Sequence, residues 1–220
     1  MDIMQAIKER HAVRKYTDKA IEPEKQEALK AAINECNAKS GLHIQLITDE
    51  PKAFDCMLAH GKFSGVKNYI ALIGKDDGNF KEKCGYYGEE LVLKAQMMGL
   101  NTCWVAASYK KIPEAFELAP GEKIGIVISI GYGETQGVSH KIKTPEQVSN
   151  VTADSPEWFK KGVEAALLAP TALNQQKFKL ELAGEKVKAK AGSFLWTKTD
   201  LGIVKYHFEI GSGKDSSIWA

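Results

Sequence analysis

The run Tyr69-Ile70-Ala71-Leu72-Ile73 is apolar at every position, and Ile124–Ile130 is nearly so. Side chains alternate across the pleat of a strand, so an unbroken apolar run is apolar on both faces. Both faces must then be covered, and the two runs read as buried strands of a sheet packed against helices. The cover is written into the neighbouring segments. Ile3, Met4 and Ile7 give a short helical face over Met1–Glu9. Pro23 opens a longer helix with a stripe at Ala28, Leu29, Ala31, Ala32 and Ile33, which Gly41 ends. Leu42, Ile44 and Leu46 alternate as a strand, Pro51–Ala59 reads as a helix, and Gly61–Gly65 as a loop. Glu89–Met98 predicts an apolar helix stopped by Gly99, followed by a buried strand over Thr102–Ala106.

Similar signals follow in the second part. Pro156 opens a helix carrying Phe159, Val163, Ala166, Leu167 and Leu168. Phe178, Leu180 and Leu182 form one arm of a hairpin that turns at Ala183-Gly184-Glu185, and Val187, Ala189 and Ala191 form the other. Asp200–Ile210 is an apolar helix ended by Gly211-Ser212-Gly213. Sliding one part on the other pairs Leu42, Ile44, Leu46 with Phe178, Leu180, Leu182, and Gly88–Leu100 with the segment from Gly202. The expectation is an internal duplication, with halves 1–150 and 151–220 sharing one core, although two α/β halves can also share this order by chance.

Composition narrows the partners. Thirty Lys and Arg against 28 Asp and Glu leave a formal charge of +2, which makes no case for nucleic acid or an anionic membrane. No apolar stretch approaches the ~20 residues of a membrane span, and no secretory signal is visible, so a cytoplasmic protein is expected. Cys36, Cys56, Cys84 and Cys103 lack C-x-x-C or zinc-finger spacing and predict reduced thiols, with no metal role. Gly131-Tyr132-Gly133 follows a strand, but Gln136 replaces the third glycine of the dinucleotide fingerprint. No phosphate-binding loop, zinc-protease helix or nucleophile elbow is present. His43 and His207 fall inside predicted elements and read as structural; His60 and His140 lie in loops and have no assigned role.

Three segments carry chemistry. Arg10-His11-Ala12-Val13-Arg14-Lys15-Tyr16 concentrates cations whose guanidinium forks match phosphate oxygens, although a charge run is also an ordinary solvated surface. Leu168-Ala169-Pro170-Thr171-Ala172-Leu173-Asn174-Gln175-Gln176 leaves an apolar helix and offers a hydroxyl and amides; it also reads as a plain connector. Gly99-Leu100-Asn101-Thr102-Cys103-Trp104-Val105-Ala106 sets an aromatic beside small residues, where a flat ring could approach backbone amides, or where Trp104 is simply core.

Together the segments resemble the nitroreductase family of FMN enzymes. Arg10–Tyr16 is similar to its Arg-(Arg/His)-Ser-x-Arg-x-(Phe/Tyr) motif, with Ala12 where serine is usual. Ala169–Gln176 resembles its Ala-Pro-Ser-x-x-Asn-x-Gln motif, with Thr171 for serine and Lys177 where proline is common. Gly99–Trp104 resembles its Gly-Leu-Gly-(Thr/Ser)-Cys-Trp stretch, departing at Asn101. Ile130–Gly133 with Lys141–Pro145 resembles its late strand end and basic tail. The resemblance implies an α+β fold with a central, mostly antiparallel sheet flanked by helices. It implies FMN rather than FAD, reduced by NADH or NADPH, with nitroaromatics, quinones or free flavin as acceptors.

By that resemblance Arg10, His11 and Arg14 hold phosphate, ribityl and the pyrimidine edge. Lys62 stabilises negative charge at the N1–C2=O end, and Trp104 and the amides around Val105 and Ala106 lie by the ring near N5. Pro170, Thr171 and Asn174 contact ring or ribityl, and Lys141 and Lys143 are further phosphate candidates. No residue of the chain itself is expected to be catalytic. In ordinary relatives the proline–asparagine segment follows the arginine motif closely, whereas here Asn34–Leu42 lacks it and the motif comes late. One copy of each motif implies a flavin site within one chain, in a monomer or homodimer. A flavin-storage or sensing protein, or a specialised flavin enzyme for dehalogenation or flavin fragmentation, are the alternatives.

Overall fold

The structure is a computed structural model that describes residues 1–220. It is an α+β protein in two compact units, Arg10–Phe80 with Leu91–Val138, and Met1–Glu9 with Lys81–Glu90 and Ser139–Ala220. No helix is long and apolar enough to cross a membrane.

The first unit is built on a four-stranded antiparallel sheet in the order β1-β2-β4-β3, from β1 (Gln45–Ile47), β2 (Asn68–Lys75), β3 (Asn101–Val105) and β4 (Glu122–Gly131). The two apolar runs lie at its centre as expected, with Ile70 opposite Ile128 and Ala71 opposite Val127, all fully buried. The register shifts between Leu72 and Ile73, a bulge of the kind that bends a strand. Helix α2 (Pro23–Ser40), with Pro23 in its first turn, packs on the β1 end and buries Leu29, Ala32, Ile33 and Cys36. Tyr16, Phe54, Tyr69 and Val127 share the core of this unit.

In the second unit, α5 (Glu157–Leu167) and α6 (Thr197–Ser212) pack together beside the β5 (Phe178–Ala183) and β6 (Lys186–Ala191) hairpin. Helix α1 (Ile3–Glu9) and the short α4 (Pro145–Val148) also belong here. So does the first part of α3 (Phe80–Met97), whose backbone meets α6 at two glycines. A Cβ on Gly85 would lie 1.9 Å from the Thr199 carbonyl oxygen, and one on Gly202 would lie 2.0 Å from that of Glu82. Buried polar groups are paired across the helices. His207 Nε2 lies 2.9 Å from Glu89 Oε1, with Nδ1 3.1 Å from the Ala165 carbonyl oxygen. Glu209 accepts 2.6 Å bonds from Tyr86 Oη and Trp219 Nε1.

Two expected elements differ. Pro51–Ala59 is not a helix: a 3-10 turn covers Pro51–Ala53, capped by the Glu50 carboxylate, and irregular turns follow. Helix α3 starts at Phe80, nine residues before the expected Glu89. Its early turns carry Gly85, whose missing side chain lets the α3 backbone meet α6 closely.

Candidate functional site

The Arg10–Tyr16 segment leaves α1 and runs extended along the free edge of β3. Val13 donates its N–H to the Thr102 carbonyl at 3.0 Å, and Ala12 bridges Thr102 in parallel. Tyr16 donates to Ser64 O and Ser64 donates to Arg14 O, both at 3.0 Å. That exchange needs backbone against backbone: Gly65 has φ +69°, and a Cβ there would lie 2.2 Å from the Tyr16 carbonyl oxygen. Val13 and Tyr16 are sunk in the core. The Tyr16 hydroxyl lies 2.9 Å from Ser129 Oγ, and burial raises its pKa far above the usual phenol range. Anchors on both sides of Arg14 thus fix the backbone that carries it.

Arg10 and Arg14 are the chain's only two arginines. Arg10 is buried and engaged with neighbours, but its Nε makes no hydrogen bond; Arg14 is exposed. Their charges reach Cys103 on β3, where they pull down a thiol pKa that burial pushes up more strongly. His11 is half-buried against the Gly137 turn. Lys62 is exposed, its Nζ 3.4 Å from Ser108 Oγ. Trp104 is half-buried and faces Ile128 across the ladder; Val105 is buried opposite Val127, the last pair, and half-buried Ala106 lies just beyond it. Asn101, a departure from the family pattern, has a clear local task. Its Oδ1 accepts from Gly133 N at 3.0 Å and its Nδ2 donates to Gln136 Oε1 at 2.9 Å, tying the loop after β4 to the start of β3.

The second group of expected residues lies in the other unit. After α5, the segment Thr171–Gln176 folds into a tight loop with three left-handed residues that are not glycine: Leu173 (φ 54°), Asn174 (φ 51°) and Gln176 (φ 45°). Such conformations cost about 1–3 kcal/mol each and persist only where the surroundings hold them. Here the holding groups are visible. Thr171 Oγ1 accepts from Gln176 N at 3.0 Å. Asn174 Nδ2 and Gln176 Nε2 donate to the Lys141 carbonyl at 2.9 and 2.8 Å. Lys143 donates Nζ to the carbonyls of Gln175 and Gln176, at 3.2 and 2.8 Å, so its charge is spent on the loop. Pro170 is half-buried, Lys141 and Asn174 are exposed, and Leu173 is 85% exposed.

The family described as "Putative TM nitroreductase" matches residues 2–212. The chain belongs to this nitroreductase family. A nitroreductase-family structure from Thermotoga maritima is 22% identical with a TM-score of 0.70, covering 96% of this chain and 83% of that one. One from Clostridium difficile is 17% identical (TM-score 0.53; 71% and 100% covered). Another, from Desulfovibrio desulfuricans and in complex with FMN, is 18% identical (TM-score 0.50; 71% and 98% covered). No curated protein matches the chain.

In this nitroreductase-family chain the expected residues therefore form two groups. Arg10, His11, Arg14, Lys62, Trp104, Val105 and Ala106 belong to the sheet unit, and Lys141, Lys143, Pro170, Thr171 and Asn174 to the helical one. Sequence reasoning missed Asp200. It lies in the first turns of α6, 4% exposed, and its carboxylate accepts from Ala172 N and Gln175 Nε2, both at 3.0 Å. The available signal was an acid at the head of an apolar helix.

Burial pushes the Asp200 pKa up to about 6 from 3.8, and the two hydrogen bonds only partly offset it. The folded chain thus holds this proton more tightly than the unfolded one. The associated stability is complete below the unfolded value and is lost as pH rises through about 6. Asp200→Asn, which cannot ionise, should gain in melting temperature relative to wild type between pH 5 and pH 8. A difference that stays constant with pH would refute the buried charge.

Ala12 gives a second test. If it sits at a phosphate, Ala12→Ser should restore a donor and tighten binding of the phosphate-bearing ligand by about 0.5–1.5 kcal/mol. An unchanged dissociation constant would mean that the motif is seated differently.

Proposed function

We propose that this chain is an FMN-dependent oxidoreductase of the nitroreductase type, using NADH or NADPH to reduce nitroaromatics, quinones or free flavin. The observation that carries the reading is the placement of its only two arginines on a segment tied by backbone bonds to β3 and Ser64. A pair of planar forks on a fixed backbone suits a terminal phosphomonoester, and no fingerprint for a second nucleotide exists. The donor set fits FMN. So does the Thr171–Gln176 loop, where Gln175 Oε1 is a buried acceptor with no partner.

When bound, FMN supplies hydride transfer, and the protein supplies binding, orientation and electrostatics. By the family resemblance, Arg10, His11 and Arg14 would hold the phosphate, ribityl and pyrimidine edge, and exposed Lys62 would offer a positive charge to the N1–C2=O end. Trp104, Val105 and Ala106 would supply an aromatic and backbone amides to the ring. Pro170, Thr171 and Asn174 would supply contacts to ring or ribityl. Lys143 already serves the loop carbonyls, which leaves Lys141 as the freer phosphate candidate. Steady-state oxidation of NADH and NADPH with menadione or a nitroaromatic tests the reading. Turnover that requires FMN is expected; FMN-loaded protein inert with both nucleotides and every acceptor would favour storage or sensing instead.

A further inference from the structure

Gln175 occupies a variable position of the proline–asparagine motif, yet its amide is held on every side but one. Its Nε2 donates to Asp200 Oδ2 at 3.0 Å and approaches the Leu195 carbonyl at 3.3 Å. An ionised carboxylate only accepts, so Asp200 compels the amide to turn its N–H side inward. The same rotation puts Oε1 on the opposite side, where it is buried and accepts nothing. A buried acceptor left unpaired is costly, and one fixed in that orientation by a second buried group is prepared for a donor that arrives.

We propose that Asp200 is a positioning residue that fixes Gln175 Oε1 as the acceptor for an amide or imide N–H of the ligand at the Thr171–Gln176 loop. The inference rests on the flavin reading of that loop. Both molecules of that reading carry such an N–H, on the flavin pyrimidine ring and on the nicotinamide carboxamide. Two further observations agree. Leu173, Asn174 and Gln176 keep left-handed backbones around Gln175, and Asp200 also holds Ala172 N in the same loop. Burial raises the Asp200 pKa to about 6, so the carboxylate is still ionised, and still able to orient the amide, at pH 8.

The test compares wild type, Gln175→Leu, Asp200→Asn and the double variant at pH 8. FMN affinity is read by fluorescence quenching, the KM for NADH and NADPH by turnover, and folding by thermal melting. Asp200→Asn keeps an acceptor for Ala172 N but offers Gln175 an N–H, which draws Oε1 inward. Each single variant should weaken either FMN binding or nicotinamide KM about tenfold, the affected ligand being the source of the N–H. The double variant should be no worse than the poorer single one, because both changes remove the same contact. Asp200→Asn should also melt no lower than wild type, so that binding and stability part company. Unchanged values for both ligands in folded Gln175→Leu, or losses that multiply in the double variant, would overturn the proposal. Wild type that takes up no FMN in the first titration would instead defeat the flavin reading beneath it.

Discussion

Gly202→Ala is expected to cost about 3 kcal/mol or more of folding stability, although it adds one methyl group. That methyl would lie 2.0 Å from the Glu82 carbonyl oxygen and 2.6 Å from Tyr86 N, both main-chain atoms of α3 that no rotamer change can move. Gly85→Ala meets the Thr199 carbonyl oxygen at 1.9 Å, at the same crossing, and should cost a similar amount. Relief in either case means pushing α3 and α6 apart. Separation also strains the Tyr86–Glu209 and His207–Glu89 bonds that span the two helices. Once one methyl has parted the helices the second has room, so the double variant should lose clearly less than the sum. Urea denaturation midpoints check this; a wild-type midpoint for Gly202→Ala would mean that the helices do not meet backbone to backbone.

Replacing both arginines should remove FMN altogether at working concentrations while the chain stays folded. A hydrogen bond to a charged group contributes about 1.5–3 kcal/mol, so two lost guanidinium contacts weaken binding by roughly a hundredfold to ten-thousandfold. Arg14→Ala alone should lose about 1–3 kcal/mol. Arg14→Lys should recover only part of it, because an ammonium supplies charge without the bidentate fork. Fluorescence titration with melting curves as control decides the matter. Arg10→Ala/Arg14→Ala protein that binds FMN as wild type does would remove the phosphate role from this segment.

Much of the fold was legible because its signals are local and apolar. The central strands announced themselves as unbroken apolar runs, α2 was bounded by Pro23 and Gly41, and the β5–β6 hairpin was bounded by Gly184. What escaped reading depends on contacts distant in sequence. The first turns of α3 look too polar and too rich in glycine for a buried helix. Glu89 is buried because His207 meets it, and Gly85 is tolerated because α6 lies against it. Pro51–Ala59 has helical residue types, but Glu50 capping Ala53 and the turns after it win locally.

The candidate site divides in the same way. The arginine and proline–asparagine segments were recognisable from their residues. Asp200 was not, because an acid at the start of a helix normally reads as a solvated partner of the helix dipole. The strain of the Thr171–Gln176 loop was equally hidden, since Leu173 and Gln176 are not residues that signal a left-handed turn.

FMN binding by this chain can be read from the absorbance spectrum of the purified protein, followed by identification of the flavin released on heating. Yellow protein with the two visible flavin bands is expected, with FMN rather than FAD in the supernatant, equimolar with the chain after incubation with excess FMN. Colourless protein that still takes up no added FMN would overturn the flavin reading.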